Sequence, residues 1–259
     1  MPDDAPTTRR PWRWTDDATL AVVFLTRIPL RLPPALPPDA HGRAMAWFPV
    51  VGALVGLAGG AVFALAQALG QPPMVAALLA VAATAWVTGA LHEDGLADVA
   101  DGFGGGWNRE RKLEIMKDSR VGTYGALAVV LSVGLRAAAL AELGQPDTIL
   151  AALVTAGAAS RGVMPVIVRA VPSARPDGVA ASHGLPPRGR ALVALVVGIG
   201  IAIATLGADA AVALPVAALG AAAVTRLAVR QIEGYTGDVL GAVQQTSETL
   251  ILLSLVALR

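Results

Sequence analysis

Three aspartates, Asp94, Asp98 and Asp101, follow one another at intervals of four and three residues in the run His92-Glu93-Asp94-Gly95-Leu96-Ala97-Asp98-Val99-Ala100-Asp101-Gly102. At roughly 100° per helical residue they share one face. Like charges so spaced repel and destabilise a bare helix. A hard divalent cation with oxygen ligands offsets that repulsion directly, so the pattern points to a metal site. A solvated acidic face is the plainer alternative. It fits less well, because Leu96, Val99 and Ala100 make the other side apolar and dock the helix with its acids towards a cleft.

The flanks of this run can handle phosphate. Gly102-Phe103-Gly104-Gly105-Gly106-Trp107 reads as a loop whose backbone N–H groups can approach a phosphate, or as a simple flexible turn. Met116-Lys117-Asp118-Ser119-Arg120-Val121-Gly122-Thr123-Tyr124-Gly125 follows. Lys117 and Arg120 can clamp phosphate oxygens, or can merely flank a membrane span on its positive side. Elsewhere Arg136 and Arg161 lie inside apolar runs, where an ionisable side chain is costly and marks a functional candidate. Their acidic counterparts are Asp238 and Glu248, with Gln244 and Gln245 between. An Arg–Glu pair inside a bundle is one reading. The other sets Asp238, with Glu248, across from the aspartate helix as further ligands. His41 and His183 fall in predicted loops and are not expected to be ligands.

The elements that must position these residues are membrane helices. The chain has 259 residues, 55% hydrophobic, 4% aromatic and only 15% charged, against about a quarter charged in an ordinary soluble domain. Apolar runs long enough to span a bilayer cover 46–69, 73–91, 123–143, 148–169, 191–207, 209–229 and 239–258. Backbone groups in lipid must be satisfied internally, so these are helices. The alternating short segments of a barrel are absent. The predicted fold is therefore an all-α polytopic bundle of about seven transmembrane helices, residues 46–259, with an acidic loop at 92–122. Residues 1–45 form an N-terminal segment whose amphipathic stretch, 16–31, is too short to span and reads as an interfacial or re-entrant helix. A Pro-rich linker at 32–40 follows. Gly52, Gly56 and Gly60 make a small-residue stripe for close helix packing, within the chain or between copies, so a homo-oligomer stays open.

Lys and Arg sort by loop. They are dense in the first 45 residues, in 92–122 and in 169–190, and absent near 70–73, 144–147 and 207–209. The positive-inside rule then places the N-terminus and the acidic loop in the cytoplasm and the C-terminus outside. No signal peptide is expected at the start of this sequence. With no cysteine there is no disulfide or thiolate chemistry. No basic stripe interleaved with aromatics points to nucleic acid.

The central run, with Phe24-Leu25-Thr26-Arg27-Ile28-Pro29, Trp47-Phe48-Pro49-x-Val51-Gly52, Ser160-Arg161 and Thr236-Gly237-Asp238-x-Leu240-Gly241-Ala242, resembles the cobalamin synthase (adenosylcobinamide-GDP ribazoletransferase) family over nearly the whole chain. The resemblance implies a Mg²⁺-dependent enzyme of the cytoplasmic membrane. Its substrates would be adenosylcobinamide-GDP and α-ribazole or its 5′-phosphate. Its products would be adenosylcobalamin or its 5′-phosphate, and GMP. The roles that follow put Glu93, Asp94, Asp98, Asp101 and Asp238 on Mg²⁺. They put Gly104, Gly105, Lys117, Ser119, Arg120, Tyr124 and Arg161 on the substrates. The catalytic group is His92, Asp94, Asp98, Lys117 and Arg120, with His92 or an aspartate as general base. Two other classes share some features. A CDP-alcohol phosphotransferase has the metal logic but not this aspartate spacing. An ion-coupled transporter would hold its charges near the midplane, whereas the densest cluster here lies in a loop.

Overall fold

The computed structural model describes residues 12–175 and 184–259. The predicted N-terminal charges Asp3, Asp4, Arg9 and Arg10, and the loop residue His183, lie outside the described residues. In chain order the helices are α1 (Trp14–Leu25), α2 (Ala40–Ala44), α3 (Phe48–Ala68), α4 (Pro73–Thr88), α5 (Leu91–Gly105), α6 (Arg109–Ile115), α7 (Thr123–Leu143), α8 (Pro146–Gly162), α9 (Met164–Ala170), α10 (Arg188–Leu206), α11 (Ala210–Ile232) and α12 (Gly237–Ala257). Among the described residues no strand forms, and one isolated bridge joins Ser173 to Tyr235. The all-α polytopic bundle predicted from the sequence is the fold observed.

Among the described residues five continuous helical segments are long and apolar enough to cross a membrane, and the bent pair α4–α5 makes a sixth if it is one span. The sequence predicted about seven. The difference lies in Arg188–Ile232, which runs 45 residues without an unwound gap. At 1.5 Å per residue it would be about 68 Å long, roughly twice a hydrocarbon core of ~30 Å. Gly207, at φ +58°, breaks it into α10 and α11. Leu195, Gly198 and Ile199 of α10 line one cavity with Leu214, Pro215 and Ala218 of α11, so the halves face each other as a hairpin.

The glycine stripe packs within the chain. A Cβ on Gly52 would overlap the carbonyl of Gly157 on α8, and one on Gly56 would overlap that of Leu153. The clash is reciprocal, since a Cβ on Gly157 would run into the Gly52 carbonyl. The partner atoms are backbone, so neither helix can yield without moving as a rod. Gly157→Ala is expected to lower stability by about 1–3 kcal/mol, as overpacking does. Gly134→Ala and Gly200→Ala, where a Cβ meets open space, should be neutral or slightly stabilising. Thermal unfolding of the three variants in one detergent tests the contrast.

The N-terminal helix is shorter than the amphipathic stretch 16–31. Helix α1 ends at Leu25, where Thr26 turns to extended backbone and its hydroxyl bonds back to the Val22 carbonyl (2.7 Å). It is fastened to the bundle. Trp14 stacks on Trp47 at 5.8 Å, and the buried Asp17 accepts from Trp12 Nε1 (2.8 Å) and pairs with Arg43 (3.3 Å). His41, expected in a loop, lies on α2.

Helix α4 ends on Gly89 (φ +66°) and Ala90 (φ +58°), two consecutive left-handed residues. Gly89 supplies that conformation freely, whereas at Ala90 it is strained. The two turn the chain by 92°, so α5 leaves the line of α4. The extended Thr26–Pro29 segment holds the corner. Arg27 N–H bonds the Val87 carbonyl (2.8 Å), and the Arg27 side chain lies where a Cβ on Gly89 would go.

Candidate functional site

Helix α5 crosses the start of α12 at backbone contact. A Cβ on Gly95 would come within 2.9 Å of Asp238 Cα, and one on Gly241 within 3.1 Å of the His92 carbonyl. Two glycines, one on each helix, thus bring Asp94 and Asp238 to the same place. Asp238 sits in the first turn of α12, whose Thr236 cap accepts from Val239 N–H and donates to the Asp238 carboxylate (3.1 Å).

Asp94 and Asp238 line a cavity of about 360 Å³ with His92, Arg175 and a largely apolar wall that includes Phe24, Phe48 and Met164. Arg175 was counted from sequence only as a loop charge. No spacing signal marks it, because it arrives from a distant segment. A two-bond bridge fixes that segment: Ala174 N–H to the Tyr235 carbonyl (2.8 Å) and Tyr235 N–H to the Pro172 carbonyl (2.9 Å). Arg109 ties the same corner, donating to the carbonyls of Ala174 and Ile232. Arg175 itself donates to the Leu113 carbonyl and lies 4.0 Å from Asp238, and its buried Nε has no partner.

The acids of α5 divide by role. Asp94 is exposed, Asp98 half-buried and Asp101 buried. Asp98 lies within electrostatic reach of Asp238, Asp94 and Asp101, with Arg175 as a partial counter-charge. Asp101 is already engaged, accepting from Gly122 N–H (2.7 Å) and Gly125 N–H (2.8 Å) at the start of α7. It caps that helix. Glu93 turns inward through one carboxylate oxygen to Arg136 (3.1 Å) and Gln245 (3.0 Å). Among the described residues no three His, Asp or Glu side chains converge closely enough to hold a cation by themselves. Asp94 and Asp238, with Asp98 one turn along, remain as the open oxygen donors. Mg²⁺ commonly takes only one or two carboxylates, the rest of its shell being water and substrate phosphate, and this smaller set fits that mode.

Behind the cavity floor lies a buried charge network. Arg136 of α7 pairs with Glu93 and with Glu248 of α12 (3.0 Å), and Arg161 of α8 lies 3.7 Å from Glu248. Gln244, Gln245, Ser132 and Ser160 bond into it. Arg161 was expected on substrate, but it is enclosed in this network and does not line the cavity. One of its N–H groups faces His92 Nδ1 at 3.5 Å. A guanidinium only donates, so Nδ1 accepts and the imidazole proton sits on Nε2. A second proton would put an imidazolium beside two arginines. The Nε2 of His92 is buried and has no partner.

The remaining predicted residues stand at the other end of α5, about 10 Å away at 1.5 Å per residue from Asp94 to Asp101. Lys117, Ser119 and Arg120 are exposed there, Arg120 pairs with Asp118, and the Tyr124 ring lies against Gly104. Gly104 and Gly105 are not a phosphate loop. They form the last turn of α5, where the helix offers carbonyls and the negative end of its dipole.

The chain matches the family model described as cobalamin-5-phosphate synthase over residues 17–256. It is 49% identical over 238 residues to the adenosylcobinamide-GDP ribazoletransferase of Bradyrhizobium diazoefficiens, covering 92% of each chain. The protein of that name from Mesorhizobium japonicum is 48% identical over 251 residues, 95% of each chain. No solved structure matches.

Proposed function

Because this chain belongs to the cobalamin-5-phosphate synthase family, we propose that it is a membrane transferase joining adenosylcobinamide-GDP to α-ribazole, or to its 5′-phosphate, with release of GMP. The observation that supports this reading is the α5–α12 crossing, which gathers Asp94, Asp238 and Arg175 at one apolar cavity. In the reaction a ribose hydroxyl attacks the phosphorus that bears cobinamide. The new P–O bond forms as the bond to the bridging oxygen breaks, and GMP leaves with that oxygen. Mg²⁺, held by Asp94 and Asp238 with Asp98 in support, would neutralise the phosphoryl oxygens of the donor. Arg175 adds a fixed positive charge. The hydroxyl proton goes to an α5 carboxylate, since His92 Nε2 already carries one. The guanosine end of the donor runs along α5 towards Lys117, Ser119, Arg120 and Tyr124. Purified protein in liposomes containing Mg²⁺ is expected to release GMP only when both substrates are present. No release rejects the reading.

The same reading sets the site's opening and the N-terminus on the cytoplasmic side of a bacterial inner membrane, as the Lys and Arg distribution supports. The chain has no cysteine, so Ser119→Cys creates a single thiol at an exposed site. An impermeant maleimide is expected to label it in inverted vesicles and not in intact spheroplasts. The reverse pattern would invert the topology.

A further inference from the structure

We infer that this cavity is the seat of the acceptor, the ribazole with its apolar base, and that the corrinoid donor meets it from outside. This rests on the function proposed above and specifies which substrate goes where. Size comes first. About 360 Å³ is near the lower end of small-molecule pockets, roughly 300–1,000 Å³. That is room for one nucleoside and not for a corrin macrocycle. Chemistry comes second. Phe24 and Phe48 stack 5.8 Å apart at 8° and line the cavity with Met45, Met164, Val168 and Leu240. A guanine there would strand several donors and acceptors against apolar walls, and buried polar groups demand partners. A benzimidazole base, joined to ribose through one ring nitrogen, leaves only the other as an acceptor. Such a base leaves far less polar surface stranded in this cavity, while Asp94, Asp238 and Arg175 stand at its wall to receive the ribose end.

The test separates acceptor from donor. Val168→Phe narrows the cavity, and Phe24→Ala, at a more exposed position, carries the same test if Val168→Phe does not fold. Both are expected to raise the Kd of α-ribazole, read by calorimetry on the full chain, by about tenfold or more. The Kd of adenosylcobinamide-GDP should not change. On the wild type, a benzimidazole riboside should bind at least about tenfold more tightly than adenosine. Loss of donor affinity instead, loss of neither, or equal binding of the two ribosides overturns the assignment. If α-ribazole binds as described but no GMP is released, the proposed reaction fails and the acceptor site stands.

Discussion

Asp238→Asn is expected to lower the proposed GMP release by about 10²–10³-fold, the usual loss when one preorganised electrostatic contact to a reacting phosphate or oxyanion is removed, and to leave the fold intact. Asp238 is held from two sides, by the Thr236 hydroxyl and by the close approach of Gly95. The asparagine keeps the size and the hydrogen bond but loses the charge. Its removal should also shift the Mg²⁺ dependence of turnover to higher concentration. Asp101→Asn is the comparison. Its carboxylate accepts two N–H groups at the start of α7, so loss of one acceptor should reduce thermal stability by ~1 kcal/mol without moving the Mg²⁺ midpoint. Equal Mg²⁺ shifts in both variants would mean that Asp101 and Asp238 serve the cation alike. Turnover against Mg²⁺ concentration, with unfolding measured in parallel, decides it.

Arg136→Met is expected to lower stability by about 3–5 kcal/mol, the loss that follows when one partner of a buried ion pair is removed. Its guanidinium bonds Glu93 and Glu248 at 3.1 and 3.0 Å, and the side chain is 2% exposed. Without it Arg161 alone faces two glutamates. The double variant Arg136→Met, Glu93→Gln restores the balance of charge and should recover a large part of the loss. Thermal unfolding in detergent, with both single variants, completes the cycle. Additive losses would mean that the two residues do not act as a pair.

The sequence carried most of the fold, because a bilayer-spanning helix leaves a long apolar run that periodicity and length identify. It carried the aspartate face too, since Asp94, Asp98 and Asp101 lie on one element. What it could not show was which acids are free. Glu93 and Asp101 look equivalent to Asp94 on a helical wheel. Only the positions of Arg136 and of the Gly122 and Gly125 amides reveal that both also hold other elements in place. Arg175 was hidden for a similar reason, because a bridge between residues far apart in the chain carries it to the site. The glycines after Asp101 misled by composition. Glycine suggests a loop, but packing against Met116 and Tyr124 keeps Gly102 and Gly104 helical.

The buried network also dictates an order of assembly. Glu93, Arg136 and Arg161 lie on segments made before Glu248, and an unpaired charge at membrane depth is costly. As the chain leaves the ribosome, the nascent bundle holds two arginines against one glutamate until α12 arrives. The final helix is thus the one that neutralises the interior. A chain truncated before Gly237 carries a stranded cation into the lipid, a defect that membrane quality control can detect.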